Sequence, residues 1–188
     1  MSYQDEEDIQ LMQKLTAGED LALNELMHRW RDRVASFLLR MVGDHATATD
    51  LAQETFVRLY TSRKSYKPTA AFSTYLFHIA ANLARSHARW KGRHPTVPME
   101  DEAGELTHDP VDPQLTPDDA AALNEKAALV NKAIGRLPAE LREALLLFAV
   151  EQMSQAEIAA VLRCSVKAVE VRVYRARQML RQMLDASL

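Results

Sequence analysis

The last fifty residues of the chain carry the pattern that most restricts its fold. Pro138 suits the first turn of a helix, where its missing N–H costs nothing. Ser154 and Glu157 have the spacing of a capping box at the start of a second helix. After a short turn, Ser165 suits the cap of a third helix, whose apolar residues recur three and four positions apart on one face: Val166, Val169, Val173, Ala176, Leu180 and Leu184. This order predicts a helix-turn-helix, whose last helix typically lies in the major groove of DNA.

Composition excludes several classes of protein. The chain has 188 residues, 47% of them hydrophobic, which is enough for one large or two small folded domains. Its single cysteine, Cys164, rules out a disulfide framework or a zinc cluster within the chain. The acidic run Asp5–Asp8 is the opposite of the basic start of a signal peptide, and no long uncharged apolar run is present. We therefore expect a cytoplasmic protein with no membrane insertion, no metal and no cofactor.

Charge is strongly segregated along the chain, although the net charge is only −3. Residues 61–94 hold seven basic and no acidic side chains, and residues 95–125 hold nine acidic and no basic ones. Residues 126–188 are basic again, with ten basic and six acidic side chains. Two basic zones on either side of an acidic spacer indicate two contacts with a polyanion.

The acidic spacer also contains five of the seven prolines. Prolines interrupt helices and like charges repel, so this segment is predicted to be an extended, mobile linker. The predicted domains are accordingly residues 1–94, a linker over 95–125, and residues 126–188.

The first domain shows helical periodicity and no strand-like alternation. We predict helices over residues 5–17, 20–42, 46–63 and 72–91. The third helix is expected to bury Leu51, Thr55, Leu59 and either Val57 or Phe56, and the fourth is expected to bury Phe72, Leu76, Ile79, Leu83 and Trp90. The predicted fold class is all-α, with an N-terminal helical bundle and a C-terminal helix-turn-helix joined by a flexible, acidic, proline-rich linker.

The fourth helix carries a second stripe beside its apolar face. Its members follow three- and four-residue spacing, and they are Tyr75, His78, Asn82, Arg85 and Arg89. Aromatic rings interleaved with guanidinium groups offer stacking surfaces and phosphate contacts, as single-stranded nucleic acid requires. Because such residues also commonly border a core, the stripe alone leaves a structural role equally open.

Three stretches resemble the extracytoplasmic-function (ECF) group of bacterial RNA polymerase sigma factors, which is group 4 of the sigma-70 family. Asp50–Tyr60, DLAQETFVRLY, resembles the helix with which that group binds core polymerase. Phe72–Ala84, FSTYLFHIAANLA, resembles the next helix, which opens promoter DNA, and Leu137-Pro138 with Ser154–Leu180 resembles the C-terminal domain. The resemblance covers nearly the whole chain, in the expected order.

The resemblance implies a sigma factor that binds core RNA polymerase, through its β′ and β subunits, and directs promoter-specific initiation with no active site of its own. It also implies an anti-sigma partner. The residues that match polymerase-binding positions are Asp50, Gln53, Glu54 and Arg58. The spacing of the first three would by itself favour a solvated helix face, so their role depends on the resemblance.

Two further sets of residues match promoter-binding positions of the family. Those matching the melted element lie in the loop 65–71 and on the fourth helix, and they are Tyr66, Lys67, Tyr75, His78, Asn82, Arg85 and Arg89. Those matching the upstream element lie on the last helix, and they are Lys167, Glu170, Val171, Arg172, Tyr174, Arg175 and Gln178. Arg172 is placed beside the core face, where it is expected to reach phosphates.

The chain departs from the family pattern at three positions. Glu170 and Val171 stand where a basic and a small polar residue are usual, and we hypothesise that they change the preferred upstream sequence. A carboxylate accepts from the amine of cytosine, and valine can contact the methyl of thymine. Arg163 stands where glycine is frequent, which costs on the order of 1 kcal/mol if the residue is left-handed.

Two other classes of function are open to the residue pattern. A helix-turn-helix regulator would bind an operator without polymerase, but such a protein has no need of the Asp50–Tyr60 helix or the aromatic and basic stripe. An enzyme would need clustered acids or histidines, and the six histidines show no pairing with a carboxylate on one helix face. Copurification with core polymerase would distinguish a sigma factor from a helix-turn-helix regulator.

Overall fold

The computed structural model describes residues 3–94 and 117–185, with side chains over 5–94 and 126–185. In these ranges the backbone is helical, with no strands. The eight α-helices are α1 (Tyr3–Ala17), α2 (Leu21–Val42), α3 (His45–Thr61), α4 (Phe72–Arg93), α5 (Pro117–Gly135), α6 (Ala139–Ala149), α7 (Gln155–Leu162) and α8 (Val166–Asp185), and a 3-10 turn spans Arg63–Ser65. The all-α prediction and the four predicted N-terminal helices are confirmed.

Helix α5 is the element that the sequence pattern did not predict. It begins at Pro117, inside the segment predicted as a linker. Residues 95–116, which hold most of that linker, lie outside the described residues. The domain boundaries therefore stay a prediction. We refer below to α1–α4 as the N-terminal bundle and to α5–α8 as the C-terminal bundle.

Capping interactions explain where α3 and α7 begin, and backbone conformation marks where α7 ends. The Asp44 carboxylate caps α3 by accepting from the Thr47 N–H at 2.7 Å. The capping box of α7 is complete, since the Ser154 hydroxyl accepts from the Glu157 N–H at 3.3 Å and the Glu157 carboxylate accepts from the Ser154 N–H at 2.8 Å. Arg163 ends α7 in the left-handed region, with φ of 52°. The condition stated for Arg163 is therefore met, and arginine there is strained relative to glycine.

The N-terminal bundle encloses an aromatic core. The Phe77 ring packs edge-on against Trp30 and Phe37, with centroid distances of 6.2 and 5.3 Å. On α3 the structure buries Phe56 and leaves Val57 54% exposed, which decides between the two. The expectation for Trp90 was wrong: its ring is 52% exposed, because α4 runs past the end of the bundle at this point and the ring stacks on His94 instead.

A buried carboxylate fixes α1 against α2. The Trp30 indole N–H donates to Asp8 at 3.0 Å, and the Arg29 guanidinium lies 3.4 Å from the same carboxylate. Burial raises the pKa of Asp8, although the hydrogen bond from Trp30 and the charge of Arg29 oppose this shift. Further along α1, the Thr16 hydroxyl donates to the Arg63 carbonyl at 3.1 Å. Helix α1 thereby supports the segment that leads into α4.

The C-terminal bundle packs the predicted valine stripe of α8 against α6 and α7. Val169, Val173 and Ala176 are buried, whereas Val166, in the first turn, is 43% exposed. The Arg142 guanidinium of α6 donates to the carbonyls of Gly135 and Leu137, where α5 ends. A guanidinium placed on the last carbonyls of a helix satisfies acceptors that have no partner within that helix.

The two bundles lie against each other, and α4 packs on α7. Arg142 also reaches across to the C-terminal end of α2, where it donates to the Met41 carbonyl at 2.6 Å. Burial lowers the pKa of Arg142. The residues that face each other across this boundary include several that the sequence assigned to nucleic-acid contact.

Candidate nucleic-acid interface

The polar face of α3 is exposed and lies away from the boundary between the bundles. Asp50, Gln53 and Arg58 are exposed, and Glu54 is half-buried. Glu54 and Arg58 form an ion pair of 2.7 Å, one helical turn apart. Val57 adds an apolar side chain to the same face. The structure thus brings all four predicted residues to one surface, which has an apolar centre and polar flanks.

The segment before α4 forms an aromatic corner. The Tyr66 and Tyr75 rings meet edge-on at 5.1 Å, and the Ser62 and Tyr75 hydroxyls share a hydrogen bond of 2.7 Å. Burial raises the pKa of Tyr66, whose hydroxyl oxygen is enclosed without a protein hydrogen-bond partner. Beside this corner lies a cavity of about 270 Å³ lined by Tyr66, Lys67, Thr69, Ala70, Ala71, Thr74, Tyr75, His78, Ala160 and Arg163. The last two residues come from the C-terminal bundle.

Two further stripe residues of α4, His78 and Arg85, bond to the C-terminal bundle. His78 Nδ1 lies 2.9 Å from the Val161 carbonyl, so this nitrogen carries the proton and donates. His78 Nε2 must then accept, and it receives N–H groups from Asn82 at 2.9 Å and Arg163 at 3.1 Å. One neutral tautomer satisfies all three contacts.

Arg85 completes this network. Its guanidinium donates to the Asn82 amide oxygen at 2.5 Å and to the Glu143 carboxylate at 2.8 Å. Glu143 lies on α6 and is only 3% exposed. Arg89, one turn further along α4, is exposed and donates to the Ser86 hydroxyl at 3.1 Å. Of these four residues only Arg89 is exposed, while His78 and Arg85 bond to the C-terminal bundle and Asn82 bridges them within α4.

The outward face of α8 is free in the described part of the chain. Lys167, Val171, Tyr174, Arg175 and Gln178 are exposed. Lys167 and Glu170 pair at 2.6 Å, and the Gln178 amide donates to the Tyr174 hydroxyl at 3.2 Å. These residues form one polar surface with an exposed valine and tyrosine.

Arg172 lies off that surface. It pairs with Glu140 of α6 at 2.9 Å and is half-buried, which places it at the edge of the core, where the sequence expected it. The Arg172 guanidinium can contact a phosphate only if it gives up its ion pair with Glu140.

Sequence reasoning missed the acidic residues of the boundary. Glu151 follows α6, is 2% exposed at its side chain, and pairs with Arg33 of α2 at 2.9 Å. Burial raises the pKa of both Glu143 and Glu151, because the loss of hydration outweighs the attraction of Arg85 and Arg33. One signal was available: Glu143 precedes Leu146 and Leu147 by three and four positions, so it shares the apolar face of α6.

Comparison with known proteins identifies the family. Residues 26–94 match the family model of Sigma-70 region 2, and residues 127–180 match that of Sigma-70, region 4. The RNA polymerase sigma-H factor of Pseudomonas aeruginosa is 34% identical over 187 residues, which cover 97% of this chain and 96% of that protein. The chain belongs to the sigma-70 family. The ECF RNA polymerase sigma-E factor of Haemophilus influenzae is 32% identical over 183 residues, or 95% of each chain, and this supports the ECF group.

The fold is shared with a solved structure as well. CnrH, determined in complex with the cytosolic domain of CnrY, is 29% identical and superposes with a TM-score of 0.72 over 96% of this chain and 99% of that one. The protein is thus a sigma factor that binds core RNA polymerase and promoter DNA and directs the start of transcription. A regulator that acts on an operator without polymerase is not favoured.

The described residues also bear on two other kinds of site. They contain no cluster of three or more histidine, cysteine or acidic residues placed to hold a metal ion. No helix within the same residues combines the length and the apolar character that crossing a membrane requires.

Proposed function

We propose that this sigma factor divides its work among three surfaces: α3 binds polymerase, the aromatic corner with α4 binds the melted strand, and the outward face of α8 reads the upstream element. The observation that best supports this division is that the three predicted sets of residues, apart from Arg172, lie on separate surfaces. The proposed domains are residues 1–94, which bind polymerase and melted DNA, a linker over 95–125, and residues 126–188, which bind upstream DNA.

The polymerase surface consists of Asp50, Gln53, Glu54 and Arg58. Two carboxylates beside an exposed valine suit a partner helix that presents basic side chains around an apolar seam. The β′ subunit is the proposed contact, and the β subunit is the proposed contact of the C-terminal domain.

The melted-strand surface combines the cavity beside Tyr66 with the cations around it. An unstacked base costs a few kcal/mol to extrude, and a pocket with aromatic walls offsets that cost. Lys67 and Arg89 are exposed and suit backbone phosphates, whereas Tyr75, His78, Asn82 and Arg85 line the inner part of the surface. His78 and Arg85 are free for DNA only after their contacts with the C-terminal bundle are released, and Asn82 only after its bonds to those two residues are exchanged.

The upstream surface provides a direct test of the proposal. In the structure Glu170 is paired with Lys167, so Glu170→Lys both removes the carboxylate and releases a second cation. We expect selection from a randomised upstream element by the reconstituted holoenzyme to yield a different preferred sequence, with discrimination of about 1–3 kcal/mol at the affected base pair.

Arg181→Lys is the control, since it keeps the charge of an exposed residue of α8 outside the predicted set. An identical preferred sequence for Glu170→Lys and the unaltered protein would show that α8 does not read this position.

The resemblance to CnrH, which was solved with the cytosolic domain of CnrY, supports a further proposal, namely an anti-sigma partner that covers the polymerase-binding surfaces. We also propose that the protein acts in the cytoplasm, has no enzymatic activity and uses no cofactor. Its contribution to initiation is then to position polymerase at the promoter and to hold the melted DNA open.

A further inference from the structure

Another cavity lies where the end of α2, the second half of α4 and the start of α6 meet, and it shares no lining residue with the cavity of the aromatic corner. Its volume is about 320 Å³, at the small end of the range for pockets that hold small molecules. The apolar part of its lining comes from all three helices and consists of Met41, Val42, Ala84, Ala88 and Ala139. The cavity can therefore enclose a small apolar body.

One side of α4 supplies both the space and a polar group. Ala84 and Ala88 are one helical turn apart, and His87 and Lys91 follow each of them by three positions, so all four lie on neighbouring parts of the same helix face. All four line the cavity. Ala84 is buried, whereas Ala88 is exposed. A larger side chain at position 88 would therefore fill the cavity without displacing the core.

His87 carries a polar atom that the fold leaves unsatisfied. Its Nε2 is enclosed and has no hydrogen-bond partner among the described residues. The imidazole packs edge-on against the Trp90 ring, with a centroid distance of 6.2 Å. Because enclosed polar atoms are nearly always hydrogen-bonded, this nitrogen calls for a partner, which a ligand in the cavity can supply.

The carboxylates of the lining are already neutralised. Glu143 pairs with Arg85 at 2.8 Å, and both belong to the lining. Glu140 pairs at 2.9 Å with Arg172, which comes from outside it. Neither carboxylate is therefore available as the counter-ion of a further cation.

Two cations of the lining, by contrast, have no carboxylate paired with them. Arg89 donates to the Ser86 hydroxyl at 3.1 Å, and neither Arg89 nor Lys91 forms an ion pair within the described part of the chain. The pKa of Asp44 is lowered chiefly by its hydrogen bonds with Thr47, and Lys91 adds only the smallest of the contributions. Both cations are exposed and can turn towards the cavity. The charge balance favours an anion.

We propose that this cavity binds a small amphipathic organic anion, namely an aryl or short acyl carboxylate. Its apolar body lies among Met41, Ala84 and Ala88, and its carboxylate accepts from His87 Nε2 and from the Lys91 ammonium. The neutral histidine tautomer with its proton on Nε2 provides the first of these donors. The two oxygens of a carboxylate match these two donors, and a charge-assisted bond to Lys91 selects for the anion. The site goes beyond the three surfaces proposed above.

Isothermal titration calorimetry of the full chain with octanoate and with phenylpropanoate tests the site. We expect a dissociation constant on the order of 100 μM for at least one of them, as is usual for ligands of this size. The matched neutral probes are octanamide and phenylpropanamide. They should bind about tenfold more weakly, because they lack the charge that Lys91 and His87 stabilise.

Three substitutions locate the bound probe. Lys91→Gln should weaken binding of the acid about fivefold, and His87→Phe, which keeps a ring but removes Nε2, about tenfold. Ala88→Leu should abolish binding, since the added carbons occupy the cavity. Lys14→Gln is the matched control, because it removes the charge of an exposed lysine of α1 outside the lining, and it should leave the affinity unchanged. Circular dichroism on each variant verifies that the helices remain folded.

Three results would overturn the proposal. The first is that neither acid binds at millimolar concentration, and the second is that acid and amide bind equally well. The third is that Lys91→Gln and Ala88→Leu bind the acid as tightly as Lys14→Gln, which would place the bound probe elsewhere. All of these measurements use the protein without polymerase or DNA, so they leave the test of the proposed function independent.

Discussion

The double substitution Asp50→Lys with Glu54→Lys should weaken binding to core RNA polymerase by about a hundredfold, which corresponds to about 2.8 kcal/mol. Both side chains lie on the surface of α3, where reversal of charge sets like charges against a basic partner. The fold should persist, since the ion pair lost within the described residues is the surface pair of Glu54 with Arg58, worth about 0.3–0.5 kcal/mol. Competition with labelled, unaltered protein for core polymerase measures the change.

The matched control for this variant is Glu6→Lys with Asp32→Lys. Both residues are exposed and lie on α1 and α2, so net charge changes by the same amount away from the α3 surface. Equal loss of affinity in the two double variants would mean that overall charge, and not the α3 surface, governs the interaction.

Phe77→Ala should lower the free energy of unfolding by about 3–5 kcal/mol, a large fraction of the stability of a domain of this size. Phe77 is fully buried and contacts two aromatic rings, Trp30 and Phe37, so its removal leaves a cavity that the rigid rings cannot fill. Urea denaturation followed by circular dichroism reports the change as a lower midpoint.

Val57→Ala is the stability control, because that side chain is 54% exposed on α3. It should alter the unfolding free energy by less than about 0.5 kcal/mol. A Phe77→Ala midpoint within error of this control would contradict the described core.

Helices and caps were predictable from the sequence because their signals are local. The three- and four-residue spacing of apolar side chains predicted α1–α4. Ser154 and Glu157, three positions apart, predicted the start of α7 as a capping box. For Arg163 the sequence left the left-handed conformation as a condition, and the structure shows that it holds, with φ of 52°. Helix α5 was missed because its first residues continue the acidic, proline-containing composition of the linker.

The boundary between the bundles was not predictable in the same way. The pairs Arg33–Glu151 and Arg85–Glu143 join residues 118 and 58 positions apart, and no periodicity links such positions. Read singly, Arg33, Arg85 and Glu151 fit a solvated surface, and only Glu143 carries a local signal of burial, because it shares the apolar face of α6. The sequence pattern places the stripe residues on one side of α4. Whether that side faces DNA or protein depends on how the C-terminal bundle packs against α4, which is a property of the tertiary structure.

Run-off transcription by purified core RNA polymerase over a library of genomic fragments, with and without the protein, tests the sigma-factor function most directly. We expect discrete start sites that occur only when the protein is present and that share two sequence elements at a fixed separation. Transcripts that are the same in both reactions would contradict it.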